Sequence, residues 1–185
     1  DRRQYGDNEA TARALLLEQA AAWAAHGVAF IQLREKDLPA REQVELAREM
    51  MQVLQTARRD WTRVPRLLVN GRPDVALAAG ADGVHLPAGH EALTPEEVRT
   101  IFLAAGRAQP PAISVSCHTL AEVEAACKQS PDCILFAPVF EKVVGEQEIA
   151  ATTKQNSTRT RVLPGTGLAL LEQACRAAAP VPVFA

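Results

Sequence analysis

Apolar and polar positions along the chain follow two alternating rhythms. Windows near 9–26, 41–58, 73–79, 94–105, 119–129 and 167–178 carry apolar residues at helical spacing. Each window is followed by a short apolar run. These runs are "VAFIQLRE" from Val28, "RLLVN" from Arg66, "GVHLP" from Gly83, "AISVSCH" from Ala112, "CILFAPVF" from Cys133 and "VPVFA" from Val181. Strands separated by crossovers of this length pair in parallel, and a parallel sheet is covered on both faces, which accounts for such apolar strands. The pattern predicts an α/β fold. Periodicity does not decide between a closed barrel and an open sheet, but no GxGxxG or Walker-type loop supports a nucleotide-binding open sheet. One stretch breaks the rhythm: "GEQEIAATTKQNSTRTRVLPG", from Gly145 to Gly165, is polar and weakly periodic, and is expected to be a long loop where a βα-loop would stand.

Composition narrows the function classes. A chain of 185 residues, 48% hydrophobic and with a net charge of -2, suits a single domain, 1–185, with a sizeable core. Its aromatic residues are two Trp, one Tyr and five Phe, and no Lys/Arg run is interleaved with them, so a small-molecule role is favoured over nucleic-acid binding. Glu18, Gln19 and His26 interrupt the longest apolar stretch, "ALLLEQAAAWAAHG", which predicts an amphipathic helix and no membrane partner. Cys117, Cys127, Cys133 and Cys175 show neither metal-ligand spacing nor a disulfide pattern, and "DRRQYGDNEA" is not a signal peptide; a cytoplasmic location is the expectation.

Two strands carry candidate chemistry. In "IQLREK", strand alternation puts Gln32, Arg34 and Lys36 on one side and Ile31, Leu33 and Glu35 on the other. Polar groups on a buried strand are costly unless they line a cavity, where an Arg fork and a Lys can hold an anion. A strand end fraying into solvent is the competing explanation for Lys36 and Asp37, but Gln32 lies too far inside for it. In "AISVSCH", Ser114, Ser116 and His118 share a face that excludes Cys117, which argues against a Cys117–His118 nucleophile pair and makes Cys117 a packing residue. His118, at the strand's end before Thr119, can exchange protons near neutral pH or merely cap the strand; both readings stay open. His85, inside "GVHLP", is expected to be a satisfied interior histidine.

Together, "GVAFIQLREKDL", "LVNGRPDVALAAGADGVHLP", "SVSCHTLAEVEAA" and "ILFAPVFEK", in this order, resemble the thiamine phosphate synthase/TenI superfamily, and the similarity resumes at "GTGLALLEQACRAAAPVPVFA". The resemblance implies a parallel (β/α)8 barrel of the TIM type. It also implies one of two reactions. Synthases couple a pyrimidine pyrophosphate to a thiazole phosphate with magnesium; TenI-type tautomerases shift a proton to aromatise thiazole carboxylate phosphate without metal. Synthases carry magnesium-binding carboxylates at the positions of Gly71 and His90 here, while Asp74 matches an ordinary helix start and Glu91 is one residue off. The resemblance therefore implies a TenI-like tautomerase first, with no cofactor and no metal ligands, and His118 as acid/base. Gln32, Arg34, Lys36, Asn70, Ser116 and Lys142 would bind a small phosphorylated thiazole. A synthase, which would need magnesium, stands second, supported by the synthase-like Gln32 and Lys36; a catalytically silent binding domain stands third. Measured against the family pattern, the chain is expected to lack the barrel's first and eighth strands. The apolar edges left at "VAFIQLRE" and "VPVFA" would then favour association into a homo-oligomer.

Overall fold

The computed structural model describes residues 1–56, 65–89, 92–144 and 161–185, which fall into two compact units, Asp1–Ser114 and Val115–Ala185. In the first unit a 3-10 turn (Arg2–Tyr5) leads into α1 (Glu9–Ala25), β1 (Phe30–Leu33), α2 (Ala40–Thr56), β2 (Arg66–Asn70), α3 (Pro73–Ala79), β3 (Gly83–Leu86) and α4 (Pro95–Ala104). The chain then enters β4 (Ala112–Cys117), in which one unit ends and the next begins. The second unit continues with α5 (Leu120–Cys127), β5 (Cys133–Phe136), β6 (Lys142–Val144), β7 (Arg161–Leu163), α6 (Leu168–Ala178) and β8 (Val183–Phe184).

The strand order in the first unit is β1-β2-β3-β4, with β1, β2 and β3 paired in parallel. Phe30 stands opposite Arg66, Leu33 opposite Val69, and Asn70 opposite His85. Apolar side chains on both faces of these strands are buried, among them Leu67, Val69, Val84 and Ile113, as a sheet covered by helices requires. Ala12, Leu16, Ala20 and Ala24 form the buried stripe of α1, one residue per turn. Gly83 is fixed by packing: a Cβ there would lie 1.8 Å from the Ala112 carbonyl oxygen of the neighbouring strand, so only glycine lets β3 and β4 approach so closely.

The second unit orders its strands β4-β5-β8, with β5 and β8 parallel and Ile134 opposite Val183. Its core gathers Cys117, Val123, Ile134, Phe136, Ala174 and Ala178. Capping boxes start α4 and α5: Thr94 pairs with Glu97 and Thr119 with Glu122, each satisfying amides that the first helical turn leaves unbonded.

The parallel α/β architecture agrees with the sequence pattern, and two details differ. The strand in "IQLREK" stops at Leu33, so Arg34 and Lys36 lie beyond the ladder. The stretch from Gly145 to Gly165 is not loop throughout, because Arg161–Leu163 forms β7, antiparallel to β6 with Val143 opposite Val162. "RVL" is too short to show a period of its own. Residues 145–160 of the expected loop, and the end of the helix expected to reach 58, lie outside the described residues. Among the described residues no helix is long and apolar enough to cross a membrane.

Candidate functional site

Adjacent strands of the first unit each place one polar residue in a row: Gln32 on β1, Asn70 on β2, His85 on β3 and Ser114 on β4. Gln32 Nε2 donates to Asn70 Oδ1 at 2.8 Å, and His85 Nδ1 lies 2.8 Å from Ser114 Oγ. His85 and Ser114 are only 4% and 3% exposed. Burying such groups is tolerable because they satisfy one another. Burial, and then the positive charge of Arg34, push the His85 pKa down to about 4, so its ring is neutral at physiological pH. His85 is thus the satisfied interior histidine that its apolar setting suggested.

At the C-terminal ends of β2 and β3, the end where parallel α/β proteins bind ligands, lies a cleft of about 630 Å³ lined by Gly71, Leu86, Pro87, Gly89 and Leu93 among others. Gly71 turns the chain out of β2 with φ +63°, a conformation side chains rarely adopt. Arg34, half-exposed, has its Nη1 4.0 Å from Asp1 Oδ2. Lys36 is exposed, and no described residue bonds to it.

Among the described residues, those at and beside the cleft offer few oxygen ligands of the kind magnesium takes. Gly71 offers no side chain. The nearby carboxylate of Asp74 is held in a fork by Arg72, Nε to Oδ1 at 2.8 Å and Nη2 to Oδ2 at 2.6 Å, which lowers its pKa. Among the described residues no group of three or more His, Cys, Asp or Glu is placed to hold a metal ion. His90 and Glu91, singled out in the sequence, lie outside the described residues.

The second unit holds the other candidates. His118 follows β4 and is exposed, and its Nδ1 is hydrogen-bonded to the Ala137 carbonyl oxygen. A carbonyl only accepts, so the proton of the neutral ring sits on Nδ1 and the Nε2 lone pair remains available. The His118 amide donates to Glu122 Oε2 at 2.5 Å, which ties the histidine to the first turn of α5. Ser116 is half-buried on β4, and Lys142 is exposed at the start of β6. Cys117 is buried, and its thiol is pushed up to about 11 by that burial, in keeping with a packing role.

Of the residues expected from the sequence, the structure joins Gln32 to Asn70 directly, and the charge of Arg34 contributes to the lowered His85 pKa. His118, Ser116 and Lys142 stand in the other unit. The sequence pattern did not pair Ser114 with His85, although both lie at inward-facing polar positions of apolar strands. Nor did it pick out Arg2, two of whose partners, Glu35 and Asp37, are more than thirty residues away.

Comparison with known proteins agrees with this architecture. The family model described as thiamine monophosphate synthase matches residues 6–185. A putative thiamine-phosphate synthase of Geobacter sulfurreducens is 42% identical over 84% of this chain and 70% of its own length. A second such protein, from Aquifex aeolicus, is 35% identical over 76% of this chain and 64% of its own. The solved thiamine phosphate pyrophosphorylase of Pyrococcus furiosus shares the fold, with a TM-score of 0.64 at 24% identity, over 98% of this chain and 69% of that one. The α/β fold is thus of the TIM-barrel type found in that enzyme, and the chain belongs to the thiamine monophosphate synthase (TMP-TENI) family.

Proposed function

We propose that the chain acts in thiamine biosynthesis on a phosphorylated thiazole, with Arg34 and Lys36 meeting the phosphate and Gln32 and Asn70 meeting polar atoms of the ligand. The observation that carries this reading is the Gln32–Asn70 bond. It presents two amide groups in fixed orientation on neighbouring strands, and the segment just past the end of β1 carries Arg34 and Lys36. Their positive charge suits a phosphate ester, and the guanidinium of Arg34 can engage two oxygens at once. Ser116 and Lys142 are proposed as further ligand contacts.

The names of the relatives favour coupling of the thiazole phosphate to a pyrimidine pyrophosphate, and we put that reaction first. The chain's own part would be to hold the two anionic reactants; no step is assigned to magnesium, because the described donors do not suit it. A second reading, proton transfer that aromatises thiazole carboxylate phosphate, is favoured by a specific observation. Among the described residues, Gly71 offers no side chain and the Asp74 carboxylate is bound by Arg72, and His118 keeps Nε2 ready to accept a proton. In that reaction one proton leaves the ring system and another returns at a different atom, so a single acid/base group suffices.

The two readings separate in paired assays, each run with magnesium and with excess chelator. Magnesium-dependent formation of thiamine phosphate supports coupling. Aromatisation that persists in chelator supports proton transfer and removes coupling as the chain's reaction. Absence of both, with thiazole phosphate still bound, leaves a binding protein.

A further inference from the structure

The cations assigned to the phosphate do not sit on a strand. β1 ends at Leu33, opposite Val69, so no ladder bond sets the direction of Arg34 or Lys36. The segment is held from its other side. Arg2, 5% exposed, donates from its backbone amide to Glu35 Oε1 at 2.7 Å and from Nη1 to Glu35 Oε2 at 2.6 Å. The same guanidinium reaches Asp37 twice, Nη1 to Oδ1 at 3.0 Å and Nη2 to Oδ2 at 2.8 Å, and its Nε reaches Glu9 at 2.6 Å. The Glu35 carboxylate is fully buried. The Arg2 guanidinium outweighs the opposing effect of burial and holds the Asp37 carboxyl down to about 2. One residue further on, Gln43 Nε2 donates to the Leu38 carbonyl at 2.7 Å.

Glu35 and Asp37 alternate with Arg34 and Lys36. Arg3 also reaches Asp37, Nη2 to Oδ2 at 2.8 Å, and Arg34 lies 4.0 Å from Asp1 Oδ2; left without Arg2, Glu35 and the partly released Asp37 would add counterions beside the two cations and compete with any incoming anion. A planar guanidinium that forks onto both carboxylates removes that competition and fixes the backbone between them.

We propose that Arg2 is a positioning residue: by gripping Glu35 and Asp37 it orders residues 34–37 and keeps those two carboxylates off Arg34 and Lys36, which take a phosphate. This rests on the phosphate-handling reading above.

The test uses the whole chain and four substitutions. Arg2→Lys keeps the charge but loses the fork. Asp37→Ala removes the exposed half of the clamp and spares the buried Glu35 pair, so a folded variant remains even if Arg2→Lys does not fold. Glu9→Ala removes an Arg2 contact remote from β1, and Lys36→Ala removes a proposed ligand. Amide hydrogen exchange is read without ligand, and affinity is read by titration with inorganic pyrophosphate.

Arg2→Lys and Asp37→Ala should speed exchange within 34–37 and weaken pyrophosphate binding about tenfold, an effect that largely disappears in the Lys36→Ala background because the residues are coupled. Glu9→Ala should change neither. Mere loss of a negative charge in Asp37→Ala would tighten pyrophosphate binding, the opposite sign. Unchanged exchange at 34–37, tighter binding by Asp37→Ala, or a loss that simply adds to that of Lys36→Ala overturns the positioning role. A wild-type chain that does not bind pyrophosphate contradicts the phosphate site itself, and the ligand-free exchange arm distinguishes that failure from failure of the clamp.

Discussion

His85 Nδ1 and Ser114 Oγ lie 2.8 Å apart, both buried, on neighbouring strands of the first unit. The pair shows how this fold accommodates polar groups inside an apolar sheet: each finds its partner across one strand spacing. Burial, with the positive charge of Arg34, keeps the imidazole neutral there.

A pH dependence of stability follows. The His85 pKa is depressed to about 4 in the folded chain from 6.5. Between these values the unfolded chain binds the extra proton, so the stabilisation is fully present above pH 6.5 and is lost as pH falls towards 4. A shift of this size corresponds to on the order of 3 kcal/mol. Urea unfolding followed from pH 7 to pH 4 should show the decline, and His85→Asn should flatten the part of the slope due to this residue. An identical slope in the variant would mean that His85 is not the titrating group.

Gly83→Ala should be poorly tolerated. Its Cβ would meet the Ala112 carbonyl oxygen at 1.8 Å and the Ala112 amide nitrogen at 2.7 Å, both backbone atoms that cannot rotate away. Overpacking of this kind costs about 3 kcal/mol or more. A thermal unfolding midpoint equal to that of the parent chain would show that β3 and β4 are not so closely apposed.

His118→Gln separates proton transfer from binding. If His118 is the acid/base group of the aromatisation reaction, turnover should fall by about 10²–10⁴, while affinity for thiazole phosphate stays unchanged. A loss of affinity with unchanged turnover would make His118 a binding residue.

Much of the fold was legible because helix and strand periods alternate cleanly. Thr94 and Thr119 with Glu97 and Glu122 three residues on mark the starts of α4 and α5 in the sequence itself. The end of β1 was not legible: polar alternation continues through Arg34 and Lys36 after pairing has stopped, and pairing depends on how far the partner strand runs. β7 was hidden because a three-residue strand is set by its hairpin partner. The Gln32–Asn70 contact joins residues 38 apart in sequence, and the burial of Arg2 depends on carboxylates 33 and 35 residues away, so no local pattern marks either. Residue types suggested an anion site; the contacts made by Gln32 and Arg2 are tertiary.

The proposed recognition is of a phosphorylated thiazole through its phosphate. Calorimetric titration with thiazole phosphate and with the unphosphorylated thiazole alcohol tests this most directly, using the parent chain and Lys36→Ala. Charge-assisted hydrogen bonds to a phosphate should make the phosphorylated form bind about 10-fold to 100-fold more tightly, and Lys36→Ala should remove most of that preference. Equal affinities for the two compounds, or a preference that survives Lys36→Ala undiminished, would contradict the account.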